Sequence, residues 1–313
     1  MRFFGALAVV CGSLVALAPA QPPEPKHVDD DAVYEQFFDK LEALAKDKKP
    51  LAHKKLVAKL KPAAAGITPA KPGNKALTPE EVYKAAVPGV WIVGSTYPDK
   101  AGNWQTGTYA TAWVLAADGV LVTNWHVFED LNDGEVFGAS DRDGNTYPVT
   151  DFLGGDKAAD VAVFRVAAKG LTPLPVAPAH AEVGSWVGVI SHPGDLFYVY
   201  TQGTVTRYST NTNDDKKVEK WMGISAEYAS GSSGAPVLNK FGAVVGMAAL
   251  TLSIDASDEP KKAENPARRK PKFVRAKDDK PKEAPKPNAK GSPQQMVVKM
   301  AVPGPVVLKW AGK

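Results

Sequence analysis

The spacing of apolar residues divides the chain into a helical first part and a β-rich second part that begins near residue 90. Four apolar residues of the first part recur at helical spacing: Val33, Phe37, Leu41 and Leu44. Asp30 or Asp31 can cap this segment, so the pattern predicts an amphipathic helix. Residues 51–60 form a shorter, basic amphipathic stretch and predict a second helix. We expect the two helices to pack on the main domain or to mediate assembly, and a membrane-surface or regulatory element is the alternative.

A further helix start follows a linker rich in Ala, Pro and Gly at residues 62–75. Thr78 is suited to the N-cap and Pro79 to the first helical position, and Glu81 completes a capping box. The sequence therefore predicts a helix that begins at Pro79 and ends at the Ala-Val-Pro of residues 86–88.

From residue 90 onward the chain consists of short β-rich runs separated by turn residues. These runs cover residues 90–93, 109–115, 119–123, 160–166, 186–190, 203–208 and 243–248. Regularly spaced short strands with few helices are typical of an all-β sandwich or barrel.

The β pattern stops at Asp255 and an apolar segment returns at residues 296–307. Between them, residues 255–292 contain twelve Lys/Arg, seven Asp/Glu, six Pro and almost no large apolar side chains, which predicts a disordered insert. This insert carries a net charge of +5, so the rest of the chain sums to −1 out of a total of +4. Because the excess charge lies in one segment, it does not indicate a nucleic-acid-binding fold. The insert can contact a polyanion, and the favoured alternative is a solvated loop, since loop closure costs little more as a loop grows.

The first twenty residues have the pattern of a secretory signal. Arg2 precedes an apolar run at residues 3–17, and the small residues Ala18 and Ala20 flank a proline before the predicted cleavage near Ala20. The run is shorter than the roughly 20 residues that span a bilayer, which argues against a transmembrane anchor. We therefore predict an exported protein, periplasmic or secreted, with no stable membrane anchor after cleavage. The single cysteine, Cys11, lies in this segment, so the mature protein is expected to lack disulfides and thiolate chemistry.

Three short motifs can carry chemistry. His126 follows a buried strand, Asp160 directly precedes another strand, and Ser233 lies in the hexapeptide Gly-Ser-Ser-Gly-Ala-Pro at residues 231–236. A serine flanked by glycines can sit in a tight loop that aims several N–H groups at one point, as an oxyanion hole requires. Each motif has a structural alternative: a Gly/Ser turn, a buried histidine or a strand cap. The order His, Asp, Ser in an all-β chain is a much stronger signal.

These motifs resemble the three signatures of trypsin-like serine peptidases, and most closely those of bacterial HtrA-type proteases. The matching stretches are Thr-Asn-Trp-His-Val at 123–127, Asp-Val-Ala-Val at 160–163 and the hexapeptide, with supporting matches at 188–194, 202–205 and 242–247. The resemblance covers about residues 80–252 and resumes at 296. It implies an all-β chymotrypsin-like fold of two perpendicular six-stranded barrels with the active site in the cleft between them.

The resemblance also implies roles for individual residues. Ser233 would be the nucleophile, His126 its general base, and Asp160 the carboxylate that holds the imidazole in the correct tautomer. The backbone N–H groups of Gly231 and Ser233 would form the oxyanion hole. Three residues, Ala249, Leu250 and Thr251, would form an edge strand that pairs with an extended polypeptide substrate.

Three features depart from the family pattern. Ala235 replaces a glycine, and its methyl group is harmless at negative φ and damaging at positive φ. Ser232 replaces the aspartate that pairs with a new N-terminus in digestive relatives, which argues against that zymogen switch. The chain beyond Val307 is too short for the PDZ domain that HtrA-type proteases often carry, so control through such a domain is not expected.

The sequence leaves substrate specificity open and contains no motif for a metal or a cofactor. Glu227, six residues before Ser233, can lie at the base of the primary pocket and attract Lys or Arg, or it can be an exposed or salt-bridged carboxylate. The five histidines show no metal-ligand spacing, and no phosphate-binding glycine loop is present in the sequence. We expect neither a metal nor a cofactor.

The predicted organisation has five parts. They are a signal peptide at 1–20, a helical extension and linker at 21–76, a peptidase domain at 77–254, the Lys/Pro-rich insert at 255–292 and a segment returning to the peptidase domain at 293–313. The predicted function is that of an exported serine endopeptidase that cleaves peptide bonds through an acyl-enzyme and binds no specific nucleic acid. The alternatives are a non-catalytic peptide-binding module of the same fold and a surface adhesion protein whose basic insert is the working part.

Overall fold

The computed structural model describes residues 24, 26–48, 66–129, 131–213, 216–255 and 294–310. The predicted signal peptide, the predicted helix at 51–60 and nearly all of the predicted insert lie outside these residues.

The first helix, α1, spans Asp30–Lys48 and confirms the helix predicted from the apolar spacing. Its N-cap is Asp29 rather than Asp30 or Asp31, because Asp29 Oδ1 accepts the N–H of Ala32 at 3.1 Å. The two predicted caps lie in the first turn, where their negative charges interact favourably with the helix dipole. Asp30 is also freed for a tertiary contact, since its Oδ1 accepts the N–H of Phe197 at 2.8 Å.

The apolar face of α1 packs on the first strands of the β domain. Phe37 and Leu41 are 2% and 1% exposed and belong to the core cluster that includes residues of both barrels. The Phe37 ring lies so close to Gly94 that a Cβ on this glycine would be 2.7 Å from Phe37 Cε1. Helix α1 is therefore an integral layer of the fold.

Truncating Phe37 tests how much this layer contributes. Phe37→Ala should lower the free energy of unfolding by about 3–5 kcal/mol, because it removes a buried ring and leaves a cavity under α1. Urea unfolding of the purified protein measures this change. Glu35→Ala, on the exposed face of the same helix, is the control and should change stability by less than about 0.5 kcal/mol. Equal losses in the two variants would contradict the assigned packing.

The second helix, α2, spans Pro79–Ala86 and continues into a 3₁₀ turn at Val87–Gly89. Its predicted capping box is confirmed: Thr78 Oγ1 accepts the N–H of Glu81 at 3.3 Å, and Glu81 Oε2 accepts the N–H of Thr78 at 2.9 Å. Thr78 and Glu81 thus satisfy two N–H groups at this helix end that would otherwise lack partners.

Six strands close into a first barrel in the order β1-β2-β3-β6-β5-β4. They are β1 Val90–Pro98, β2 Trp104–Ala116, β3 Val120–Thr123, β4 Val136–Ser140, β5 Thr146–Asp156 and β6 Val161–Val166. Strand β1 is buried on both faces: Trp91 and Val93 point into the barrel, whereas Val90 and Ile92 join the cluster shared with α1.

Six further strands close into a second barrel in the order β10-β11-β12-β9-β8-β7. They are β7 Trp186–Ser191, β8 Val199–Thr212, β9 Val218–Ile224, β10 Pro236–Leu238, β11 Val244–Asp255 and β12 Gln294–Pro303, followed by helix α3 at Gly304–Trp310. Strand β12 lies between β11 and β9, although 38 residues outside the described part separate β11 from β12.

The predicted all-β fold of two six-stranded barrels is confirmed. The predicted runs correspond to seven of the twelve strands, whereas β4, β5, β9, β10 and β12 were not among these runs. The two barrels are joined through the loop that carries Ser233, since Ser233 O accepts the N–H of Thr111 in β2 at 2.9 Å. In the described ranges, no helix has the length and apolar character needed to cross a membrane.

Candidate active site

His126 and Asp160 are brought together by two neighbouring strands of the first barrel. His126 lies in a 3₁₀ turn, Trp125–Phe128, just after β3, and Asp160 directly precedes β6. Strands β3 and β6 pair antiparallel with Thr123 opposite Ala162, so the end of one strand faces the start of the other. Ser233 comes from the second barrel, in the loop before β10.

The side chains of these three residues form a continuous hydrogen-bonded row. His126 Nδ1 lies 2.9 Å from Asp160 Oδ2 and 3.0 Å from Oδ1, and His126 Nε2 lies 2.9 Å from Ser233 Oγ. The backbone N–H of His126 also donates to Asp160 Oδ1 at 3.1 Å. The carboxylate side chain is 1% exposed and the imidazole 11%, so the acid is shielded from water while the ring opens toward the surface. A carboxylate at Nδ1 places the ring proton there and leaves Nε2 free to accept the proton of the serine.

The position of the Asp160 carboxylate depends on an unusual backbone conformation. Asp160 has φ +52°, in the left-handed region that Asp and Asn tolerate better than most residues. Its carbonyl oxygen accepts Nδ2 of the fully buried Asn124 at 3.0 Å, and its N–H donates to Lys157 O at 3.3 Å. These two bonds fix the turn that aims the carboxylate at His126.

The loop around Ser233 is shaped by two glycines with positive φ. Gly231 and Gly234 both have φ +88°, and a Cβ would lie 2.3 Å from His192 O at Gly231 and 2.1 Å from Thr111 O at Gly234. Glycine is therefore required at both positions. The N–H of Ser232 donates to Ala229 O at 3.0 Å and that of Gly234 to Ala248 O at 2.9 Å.

In contrast to the N–H groups of Ser232 and Gly234, those of Gly231 and Ser233 donate to no acceptor among the described residues. Two backbone donors beside a serine hydroxyl can bind a negatively charged oxygen.

Ala235 does not have the positive φ at which its methyl group would be damaging. It is not among the described non-glycine residues with positive φ, and it is fully buried in the core of the second barrel. The methyl group therefore packs without distorting the loop.

A network that the sequence did not reveal supports this loop from behind. Thr111 Oγ1 donates to Gly231 O at 3.0 Å and accepts the N–H of His192 at 3.2 Å. The N–H of Gly194 donates to Ser230 O at 2.9 Å. Thr111 carries no sequence signal, whereas residues 188–194 are a supporting match to the family pattern.

The same segment is held in turn by Tyr109 and α1. Tyr109 OH donates to Asp195 Oδ1 at 2.6 Å and accepts the N–H of Asp195 at 2.8 Å, while Asp30 accepts the N–H of Phe197. Helix α1 is thereby linked through residues 192–197 to the loop of Ser233.

His192 lies beside this loop and differs chemically from His126. Burial lowers the pKa of His192 to about 3, so its ring is neutral at physiological pH. Its Nδ1 accepts the N–H of Tyr198 at 3.1 Å, which leaves the ring proton on Nε2. His192 is thus a neutral structural side chain.

The predicted substrate strand is part of β11. Its residues pair with β10 as far as Met247, and beyond that point the described strands pair with it only on the β12 side. Ala249 and Leu250 are 6% and 4% exposed, and Thr251 is half-buried. No described strand pairs with the other backbone edge of Ala249–Thr251.

Glu227 is both exposed and salt-bridged. Its side chain is 73% exposed, and Oε2 lies 3.4 Å from Nζ of the nearly buried Lys299. In the described residues, no three His, Cys, Asp or Glu side chains cluster as a metal site would require.

Residues 110–247 match the family model of the trypsin-like peptidase domain. The "Probable periplasmic serine endoprotease DegP-like" of Chlamydia pneumoniae is 31% identical over 144 residues, which cover 46% of this chain and 29% of that protein. The serine endoprotease DegS of Haemophilus influenzae is 25% identical over 163 residues, which cover 49% of this chain and 45% of that protein. The matched segments thus span less than half of either relative.

A solved structure shows the same fold. The HtrA-type protease AlgW, determined with a tripeptide, superposes with a TM-score of 0.53 at 17% identity, over 74% of this chain and 62% of that one. The chain therefore contains a trypsin-like peptidase domain and is similar, over that domain, to HtrA-type serine endoproteases.

Proposed function

We propose that the protein is a serine endopeptidase that cleaves polypeptides through an acyl-enzyme. The observation that carries this proposal is the row from Asp160 through His126 to Ser233 Oγ, with contacts of 2.9 Å on each side of the imidazole. A serine hydroxyl is a weak nucleophile until a base accepts its proton, and His126 Nε2 is within hydrogen-bonding distance of that proton.

The reaction follows from this arrangement. Ser233 Oγ attacks the substrate carbonyl carbon as its proton passes to His126 Nε2, and Asp160 stabilises the resulting imidazolium. Collapse of the tetrahedral intermediate breaks the C–N bond, and His126 gives its proton to the leaving amine. A water molecule then attacks the ester, again with His126 as base, which releases the acid and restores Ser233.

The negative charge on the tetrahedral oxygen requires its own donors. We assign this role to the N–H groups of Gly231 and Ser233, which lack protein acceptors in the described part of the chain. Removing one such donor typically costs ~2.7–4 kcal/mol of barrier. The hydrogen bonds from Thr111 to Gly231 O and from Gly194 to Ser230 O would hold the loop in this conformation before substrate arrives.

Polypeptides are the substrate class that the edge of β11 favours. An extended peptide that pairs with Ala249–Thr251 would bind through backbone hydrogen bonds that do not depend on its ends, which suits an endopeptidase. Two relatives are named serine endoproteases, and one of them is named periplasmic. Together with the predicted signal at residues 1–20, this supports export from the cytoplasm.

Labelling with a fluorophosphonate probe tests the proposal directly. The probe should modify the protein at Ser233, and the label should disappear in Ser233→Ala, because only an activated serine displaces fluoride from phosphorus. Gel fluorescence and peptide mapping measure the labelling. Ser230→Ala, in the same loop, is the control and should remain labelled. A folded protein that takes no label would be a binding module with the fold of a peptidase, and label that persists in Ser233→Ala would show that Ser233 is not the nucleophile.

A further inference from the structure

We propose that Lys299 determines the charge preference of the pocket beside Ser233, because its ion pair with Glu227 masks a carboxylate that would otherwise select basic side chains. This inference rests on the proposed peptidase function. It assigns to the Lys299–Glu227 pair the recognition of the substrate side chain that precedes the scissile bond.

The position of the pair relative to Ser233 follows from two contacts between the same two segments. Gly234, next to the nucleophile, donates its N–H to Ala248 O at 2.9 Å, and Tyr228 directs its hydroxyl at Leu250 O at 2.9 Å. The segment 228–234 is therefore bonded to β11 at both of its ends, at Ala248 and at Leu250. The first residue before this segment is Glu227, and the next residue of β11 is Thr251. A peptide that paired with the β11 edge would direct the side chain before the scissile bond toward these two residues.

Lys299 lies beside both Glu227 and Thr251. It lies in β12 directly opposite Thr251, and Tyr228 OH also lies 2.7 Å from the carbonyl oxygen of its neighbour Met300. Tyr228 is 6% exposed, and its hydroxyl lies against the backbone of both strands. Glu227 thus lies next to Tyr228 in the chain and beside Lys299, which is paired with Thr251.

The ammonium group of Lys299 is held from several directions although its side chain is only 8% exposed. Nζ donates to Tyr228 O, lies 5.3 Å from the centroid of the Tyr228 ring and lies 3.4 Å from Glu227 Oε2. A nearly buried ammonium requires partners of this kind, since an unpaired charge in such a place is strongly disfavoured. Lys299 is therefore fixed where it is, and the exposed Glu227 carboxylate is drawn to it.

The consequence for substrates is a pocket whose two charges compensate each other. A basic side chain that approaches Glu227 meets a carboxylate already paired with Lys299, and an acidic one must displace Glu227 from the ammonium. Uncharged side chains lose no such interaction, so the pocket should favour them. Removing either charge leaves the other unpaired and should attract a substrate of opposite sign.

Two single variants and the double variant test whether the charges of Lys299 and Glu227 compensate each other. Lys299→Met should raise cleavage after Lys and Arg, relative to cleavage after Leu, by roughly 10- to 100-fold, because it exposes the Glu227 carboxylate. Glu227→Gln, at an exposed position, should raise cleavage after Asp and Glu instead. The double variant should return to a preference for uncharged side chains. The measurement is kcat/KM on a peptide series that differs only in the residue before the scissile bond, with Lys220→Met in the neighbouring strand as control.

Fluorophosphonate labelling separates the possible failures. If all variants label at Ser233 and keep the parent profile, Lys299 has no role in specificity and the peptidase proposal stands. If Lys299→Met does not fold, Glu227→Gln alone decides: an unchanged response to Asp and Glu overturns the inference. If the parent protein neither labels nor cleaves, the proposed function fails and this inference fails with it.

Discussion

Asp160→Asn should lower kcat about 10⁴-fold while leaving the fold intact. The carboxylate accepts from His126 Nδ1 at 2.9 Å and 3.0 Å and thereby keeps the ring proton on that nitrogen. An amide can instead turn its NH₂ group toward Nδ1, which places the ring proton on Nε2. The imidazole would then donate to Ser233 Oγ, 2.9 Å away, and could not accept its proton.

Asparagine is the appropriate replacement because of the backbone at this position. Asp160 has φ +52°, which Asn adopts about as readily as Asp, so the turn and its bonds to Asn124 and Lys157 should persist. Alanine would combine the loss of the carboxylate with backbone strain, and its effect could not be assigned to either.

A carboxylate-to-amide change at Asp156 is the matched control. Asp156 Oδ1 accepts the N–H of Ala159 at 2.7 Å, and an Asn oxygen can accept the same bond. Asp156→Asn should therefore keep kcat within about threefold, since it preserves the turn and lies outside the row formed by Asp160, His126 and Ser233. Steady-state kinetics and thermal unfolding of both variants provide the comparison. A loss below tenfold in a fully folded Asp160→Asn protein would show that this carboxylate does not set the tautomer of His126.

The residues singled out for chemistry were found from the sequence because each lies in a short contiguous motif at a strand end. The structure holds His126, Asp160 and Ser233 within hydrogen-bonding distance, since β3 and β6 are neighbours and the loop before β10 is bonded to β2. The pattern predicts an all-β sandwich or barrel for a related reason, whereas the two barrels are implied only by the resemblance to trypsin-like peptidases. Most of the strands are apolar runs bounded by turn residues, and such runs are visible without tertiary information.

Four of the five strands that the apolar pattern missed contain polar residues or glycine, and the fifth, β10, has only three residues. Strand β5 contains Pro148, Asp151 and two glycines, and β9 has the charged residues Glu219 and Lys220 directly after its first residue. These strands are specified by their neighbours in the closed barrels rather than by local composition. The predicted cap of α1 lies one or two positions too late because three consecutive aspartates can each serve as a cap.

Contacts between distant parts of the chain could not be predicted from the sequence, because the partners are far apart in it. Lys299 and Tyr228 are 71 positions apart, and Asp30 and Phe197 are 167 positions apart. The local sequence around a lysine or an aspartate does not indicate which distant residue it contacts. The exposed, paired state of Glu227 follows from the register of β12 against β11, which places Lys299 opposite Thr251. Only the assembled second barrel determines that register.

Gly231→Ala should lower kcat by at least about 10²–10³-fold, because the added methyl group displaces a proposed oxyanion donor. The Cβ would lie 2.3 Å from His192 O and 3.1 Å from Tyr109 Cε2. His192 O belongs to the backbone of a segment held by hydrogen bonds to Thr111, Tyr109 and Asp30, so it cannot move aside easily. The loop of Gly231 must move instead, and its N–H then no longer points at the substrate oxygen.

Gly102→Ala is the control that separates backbone strain from this collision. Gly102 has φ +87°, almost the same as the +88° of Gly231, but no atom lies within 4 Å of an added Cβ. Both variants should lose about 1–2 kcal/mol of stability from the left-handed backbone, whereas only Gly231→Ala should lose activity. Thermal unfolding and kcat measured on the same preparations distinguish the two effects. If Gly231→Ala were as active as Gly102→Ala, the N–H of Gly231 would not be an oxyanion donor, and the rigid support behind the loop would have a purely structural role.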